Sequence, residues 1–196
     1  DTMTEQVPQT RIYRTWNIPS VDSEVTDRMN LVSQVLGGSR SSRLDKRLVF
    51  QDKLADSVAT FAWGSELGGL FIVQVDVKQG VDPAKVEAAL DEELNKLIAS
   101  GPTEAELAQA KTVIEAGFVR GIERIGGFGG KADVLAECAV FTGDPACYAK
   151  TLSVIEQSSV KDVQATAAEW LSSGDYTLTV VPGERKAVVE APAVKD

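Results

Sequence analysis

Residues 36–44, LGGSRSSRL, concentrate hydrogen-bond donors that suit the binding of an anion or a carbonyl group. Gly37 and Gly38 permit a sharp turn and a close approach of the backbone, and the start of a helix favours anions and carbonyl oxygens. A capped turn between two helices explains the same residues equally well. The residues predicted to contact a substrate or a partner are Gly37, Gly38, Ser39, Arg40, Ser41, Ser42 and Arg43.

Catalytic sites of several common kinds are excluded because the 196 residues include no histidine. A histidine-based zinc site, a Ser-His-Asp triad and a Cys-His pair all require one. Asp91, Glu92 and Glu93 form a carboxylate cluster, but three consecutive residues of a helix spread around its axis and cannot converge on one metal. We therefore predict no catalytic residue, no metal ligand and no cofactor bound by this chain.

The glycine-rich segment GGFGGKA, residues 126–132, resembles a nucleotide-binding loop only superficially. Gly127, Gly129 and Ala132 match the spacing of a dinucleotide-binding fingerprint. That fingerprint follows a strand, whereas this segment follows a helical pattern. The sequence therefore favours a break between helices over a phosphate site.

The net charge of −9 makes nucleic acid an unsuitable partner, because a phosphate backbone requires a basic surface. Lysine and arginine are scattered along the chain and form no basic stripe. No apolar run approaches the roughly 20 residues that span a bilayer, so we predict no transmembrane segment.

Cys138 and Cys147 flank the segment FTGDPA and leave two interpretations open. They are either two small buried thiols or a disulfide that links two helices across a turn. They cannot complete a zinc site by themselves. A disulfide would indicate an oxidising compartment, and on that basis the periplasm is favoured over the cytoplasm.

Hydrophobic periodicity predicts the elements of the first half of the chain. Alternating residues predict a strand at 11–18, and helical spacing predicts a helix over 25–36. A second helix is predicted from Ser41 or Ser42 to about Leu54. Two strand-like stretches, 57–64 and 70–77, flank the turn signal SELGG and predict a hairpin.

Capping signals place the helices of the second half. The expected elements are a helix from Asp82-Pro83 to Gly101-Pro102, a helix after the capping box at Thr103, a helix over 131–141, a helix starting at Asp144-Pro145, a helix capped by Ser159 and a strand from Tyr176. This order predicts an α+β fold in which helices cover one side of a mostly antiparallel sheet. We expect a single domain over 11–182, with a flexible lead at 1–10 and a loose tail at 183–196.

These elements resemble the repeated domain of the pitrilysin and insulinase-type zinc metallopeptidases, which include mitochondrial processing peptidase. The resemblance spans residues from about 10 to 182. It is most specific at Gly37-Gly38 with Ser41-Ser42-Arg43-Leu44, and at the helix junction GPTEAEL, residues 101–107.

The resemblance implies that this chain is the non-catalytic copy of a pair. The other copy would carry an H-x-x-E-H motif, its zinc and the glutamate that activates water. Many non-catalytic copies supply an arginine and a tyrosine near the scissile carbonyl. The matching positions here are Val49 and Asp56: valine has no donor, and an aspartate would repel an oxyanion.

Two functions are therefore expected. In the first, the domain encloses and binds a peptide opposite a zinc-bearing copy, which lies in the same longer chain or in a partner subunit. In the second, it is a structural scaffold or core-type subunit of a protein complex without peptidase activity, as some members of the family are.

Overall fold

Five strands form one sheet in the computed structural model, which describes residues 1–184. The strands are β1 (Thr2–Glu5), β2 (Arg11–Ile18), β3 (Ala55–Gly64), β4 (Gly69–Val77) and β5 (Tyr176–Pro182). Their spatial order is β1-β5-β2-β4-β3, and all neighbouring pairs are antiparallel except β1 with β5. The predicted α+β fold is confirmed.

Six α-helices accompany the sheet within the described part of the chain. They are α1 (Glu24–Gly37), α2 (Pro83–Ser100), α3 (Glu104–Ile122), α4 (Lys131–Thr142), α5 (Tyr148–Gln157) and α6 (Val160–Leu171). None of these helices is both long and apolar enough to cross a membrane. Side chains that cap their own helices explain several starts: Asp82 accepts from the Ala84 N–H, and Thr103 and Ser159 each begin a capping box.

The core is formed by the inner face of the sheet, α1 and buried residues of α2, α3 and α6. Alternate residues of β4 from Phe71 to Val77 are buried, whereas the residues between them are more exposed, which is the pattern of a strand covered on one face. Trp16 of β2 meets Phe71 edge to face with the ring centroids 6.0 Å apart. The opposite face of the sheet leaves Phe61, Trp63 and other apolar side chains exposed.

The structure differs from the sequence predictions at three places. The helix expected to start at Asp144-Pro145 begins at Tyr148, after a turn. Thr2–Glu5, expected within a flexible lead, pairs with Thr179–Pro182 as a parallel strand, so long-range pairing orders residues that have no local signal. The helix expected to reach about Leu54 is instead a short π-helical segment, Asp45–Gln51, after which β3 begins at Ala55. The expected loose tail, 183–196, lies outside the described residues from 185 onward.

Candidate functional site

Two glycines at the end of α1 stand where a larger residue would collide with its neighbours. A Cβ added to Gly37 would lie 2.7 Å from Cγ2 of Thr60 in β3, which is closer than real side chains approach. A Cβ added to Gly38 would lie 2.8 Å from the Cα of Gln34. Thr60 also donates to the Ser33 carbonyl at 2.7 Å. Gly37 therefore lets the end of α1 rest directly on β3, which places the loop at a defined position.

The three serines of the loop bond to the loop itself and to α3. Ser42 is buried and donates from its hydroxyl to the Ser39 carbonyl at 2.5 Å. The hydroxyls of Ser39 and Ser41 lie 3.0 Å apart, and the Gln109 amide donates to the Ser41 hydroxyl at 2.6 Å. The space left between the loop and α3 is about 10 Å³, which is too small for a peptide side chain.

Arg43 joins the two motifs that carry the family resemblance. Its Nε donates to Oε1 of Glu106 at 2.8 Å, and its Nη2 donates to Oε2 at 2.7 Å. The same Nη2 reaches the carbonyl oxygen of Gly101 at 2.9 Å. Glu106 in turn accepts from the backbone N–H of Thr103 at 2.8 Å. The Arg43 guanidinium, aided by Thr103, lowers the pKa of Glu106 to about 2 despite the partial burial of the carboxyl.

These contacts change the expected roles of the loop residues. Ser42 and Arg43 were predicted to contact a substrate or a partner, and in the structure the Ser42 hydroxyl and the Nε and Nη2 groups of Arg43 donate to groups inside the domain. Arg40 and Ser41 are exposed, and Ser39 is partly so. The exposed edge of the loop is therefore Gly38 to Ser41, and sequence reasoning missed the neighbouring Gln109. Its only sequence signal is its place three residues after Glu106 on the same helix.

Val49 and Asp56, which match the arginine and tyrosine positions of the family, have separate environments. Val49 is partly buried and packs against the core. Asp56 is exposed at the start of β3, where the Gln9 amide donates to its Oδ2 at 3.2 Å. Neither side chain presents a hydrogen-bond donor, so these positions cannot stabilise a developing oxyanion.

Among residues 1–184, the side chains do not fit a zinc ion. The chain has no histidine. Both cysteines are taken by a Cys138–Cys147 disulfide with the Cα atoms 5.3 Å apart. Within residues 1–184, no three Cys, Asp or Glu side chains form a group that could hold a metal. We derive no catalytic step through a metal on this domain.

Comparison with known families decides the classification. The family model described as the peptidase M16 inactive domain matches residues 1–114, more than half of the chain. The chain belongs to the peptidase M16 inactive-domain family. No curated protein matches its sequence. Both motifs of the resemblance lie within the matched residues, whereas α4, α5 and the disulfide of this M16 inactive domain lie beyond them.

Solved structures share the fold of this M16 domain at low sequence identity. A protease from Helicobacter pylori matches with a TM-score of 0.81 at 17% identity, covering 93% of this chain and 43% of that one. An inactive peptidase domain from Bordetella parapertussis matches with a TM-score of 0.79 at 20% identity, covering 96% of this chain and 99% of that one. This chain thus spans less than half of the Helicobacter protease and nearly all of the Bordetella domain.

Two further solved structures with this fold belong to different kinds of protein. A chain of Complex III2 from Candida albicans has a TM-score of 0.76 at 12% identity, covering 92% of this chain and 45% of that one. The periplasmic protease PqqL from Escherichia coli has a TM-score of 0.69 at 15% identity, covering 93% of this chain and 20% of that one. The same fold therefore occurs in a protease and in a chain of Complex III2.

Proposed function

We propose that this domain is the non-catalytic half of a zinc metalloendopeptidase. It encloses and binds a peptide opposite a zinc-bearing copy of the fold, in the same longer chain or in a partner subunit. The observation that carries the proposal is membership of the M16 inactive-domain family in a chain without histidine, in which residues 1–184 offer no group of side chains that could hold a metal. The greater length of the similar Helicobacter protease supports a second unit beside this one.

Within that assembly, the exposed edge of the loop is the part that contacts the peptide or the opposing domain. Arg40 brings a positive charge, and Ser41 with Gln109 brings hydroxyl and amide groups at the same surface. Arg43 contributes indirectly, because its ion pair with Glu106 holds the loop in place against α3. The domain contributes binding and enclosure, and the bond-breaking chemistry belongs to the other copy.

The periplasm is the proposed location. The Cys138–Cys147 disulfide supports an oxidising compartment, and a similar structure is that of a periplasmic protease. Fractionation of the native cells, with thiol alkylation before lysis, tests this point. Recovery of the disulfide form in the periplasmic fraction is expected, and free thiols in a cytoplasmic fraction would contradict it.

The test of the peptidase assignment is to capture the domain from its native cells with an antibody. The captured material is sized and assayed for cleavage of unfolded peptides with 1,10-phenanthroline, and with the non-chelating 1,7-isomer as control. We expect zinc in the sample and cleavage that only the chelator abolishes. A complex that contains no zinc and cleaves nothing would overturn the proposal.

Once the zinc-bearing copy is in hand, Arg40→Ala tests the loop. We expect KM to rise about three- to tenfold with little change in kcat, because a binding contact is lost. Lys46→Ala, another exposed cation nearby, is the matched control and should change neither constant. Equal KM and kcat values for the two variants would show that the loop does not contribute to peptide binding.

A structural scaffold is the second candidate, and the similarity to a chain of Complex III2 favours it. The exposed apolar side chains on the outer face of the sheet also suit a permanent protein interface. In that case the antibody would capture a stable, large complex whose composition is unaffected by a chelator. Chelator-sensitive cleavage by the same complex would exclude a purely structural role.

A further inference from the structure

A cleft of about 790 Å³ lies beside the C-terminal half of α3, where Ile114 and Phe118 line it. It is bounded by the start of α1, the end of β3 and the helices α3, α4 and α5. This volume falls in the range of ordinary ligand sites, whereas the space beside the loop is far smaller. The cleft is therefore better suited to bind a ligand than the space beside the loop.

The walls of the cleft are mainly apolar and aromatic. Phe118 of α3 and Tyr148 of α5 stack with their ring centroids 5.7 Å apart and their planes 25° apart. Ile114 and Phe141 extend the same surface. The disulfide that ties Cys138 of α4 to the start of α5 also lines it. Such a wall favours the binding of an apolar group, because burial of apolar surface is favourable.

The charged groups of the cleft are predominantly negative. The carboxylates at the cleft are those of Asp22, Asp27, Glu137 and Asp144, and the cation is Lys150. Asp27 is only 6% exposed and is hydrogen-bonded by the Thr151 side chain. Burial raises the pKa of Asp27 to about 6, since its charge is poorly hydrated and Lys150 compensates only in part. A bound cation would neutralise part of this excess negative charge.

We propose that this cleft binds an apolar segment of a peptide that carries one positively charged side chain. The apolar walls take the aliphatic or aromatic side chains, and the carboxylates around Asp27 take the lysine or arginine. The choice of a peptide as ligand rests on the proposed function. The charge and the apolar character of the ligand rest on the cleft itself.

The experiment measures peptide binding to this chain by itself, at pH 7.5, by fluorescence anisotropy. The probe is a labelled peptide Leu-Phe-Arg-Leu-Ala, compared with Leu-Phe-Glu-Leu-Ala. We expect a Kd on the order of micromolar for the arginine peptide and binding about tenfold weaker for the glutamate peptide. Equal affinities for the two peptides would overturn the proposal.

Two pairs of variants locate the site. Asp27→Asn with Glu137→Gln should weaken the arginine peptide about fivefold or more, whereas Glu169→Gln, an exposed carboxylate on α6, should not. Ala62→Phe should fill the cleft and abolish binding. Ala59→Phe, on the opposite face of β3, should leave it intact. Binding that survives both cleft variants would overturn the assignment, and circular dichroism checks that each variant is folded.

This test separates the inference from the proposed function, because no zinc-bearing domain is present. Charge-selective binding by a chain that never associates with a zinc peptidase would support the cleft and contradict the peptidase assignment. Lack of binding by a chain that does associate with one would contradict the cleft alone.

Discussion

The two ends of α3 are held to the rest of the domain in different ways. At its first turn, Glu106 binds Arg43 and Thr103, and the adjacent Gly101 carbonyl is also bonded. Near the last turns of α3 lies α4, and Cys138 is the only buried residue among the twelve of α4. We call the first region the junction (residues 37–44 with 101–107) and the second the α4–α5 arm (residues 131–157).

The difference teaches where this domain is rigid and where it can adapt. The junction positions a loop through directional bonds among partly buried groups, so its geometry has few alternatives. In the α4–α5 arm only Cys138 and Ile155 are buried, and one disulfide links its two helices beside a large cleft. Low burial predicts low local stability, which suits a surface that closes on a ligand.

The largest expected effect is loss of the junction ion pair. Arg43→Ala leaves the Glu106 carboxylate partly buried without its main partner and removes the donor to the Gly101 carbonyl. We expect the free energy of unfolding to fall by about 2 to 3 kcal/mol in urea titrations. Arg40→Ala, the exposed control, should stay within about 0.5 kcal/mol. Equal effects for the two arginines would show that the junction does not stabilise the domain.

Removal of the disulfide should have an effect of similar or slightly smaller size. Replacing Cys138 and Cys147 with serine opens a link between residues nine apart in sequence, which corresponds to about 2.6 kcal/mol from chain entropy. Hydrogen exchange should accelerate in α4 and α5 and remain slow at the junction. Uniform acceleration over the whole domain would contradict the independence of the two regions.

Asp27 should lower stability at neutral pH. Its pKa is raised from 3.8 to about 6 in the folded state, so folding favours the protonated form. Its stabilising contribution is complete below pH 3.8 and is lost as the pH rises through 6. Burial is the main cause of the raised pKa, which the Thr151 hydrogen bond and the charge of Lys150 limit.

Asp27→Asn should therefore be more stable than the parent by about 1 to 2 kcal/mol at pH 7.5, and close to equal to it at pH 4. Thermal unfolding at the two pH values measures this. A variant that is less stable at pH 7.5 would show that the carboxylate is fully compensated in the parent.

The smallest effect is expected at the connection between α3 and α4. Ile125 and Phe128 are 80% and 95% exposed. Changing either to serine should alter the free energy of unfolding of the isolated domain by less than about 0.5 kcal/mol. A loss above 1 kcal/mol would mean that these side chains are buried in solution, for example between two copies, and the same samples should then be sized by ultracentrifugation.

Local chemistry made much of the fold predictable. The alternation in RIYRTWNI gave the bounds of β2, and the caps at Asp82 and Thr103 gave the starts of α2 and α3. The expected helix after Ser42 was less accurate, because the same apolar spacing suits a short π-helical segment followed by a strand. Fold class and family followed from the order of these elements together with the two motifs.

The candidate sites were harder to predict because they depend on pairings between distant residues. Both Arg43 and Glu106 stood in recognised motifs, yet nothing in either motif shows that they meet across 63 residues. For the same reason, β1 had no signal of its own, since its partner β5 follows more than 170 residues later. The cleft beside Asp27 draws on four helices and a strand, and no single segment carries its pattern.

The sequence by itself determined that this domain has no histidine chemistry, where most of its helices and strands begin, and which family its motifs resemble. These properties depend on residue identity and on contacts within a few positions along the chain. The tertiary structure alone decided that Arg43 pairs with Glu106, that the two cysteines are bonded and that an acidic cleft opens between α1, α3, α4 and α5. Those outcomes depend on which surfaces meet when the helices close over the sheet, and distance in space is not encoded by distance in sequence.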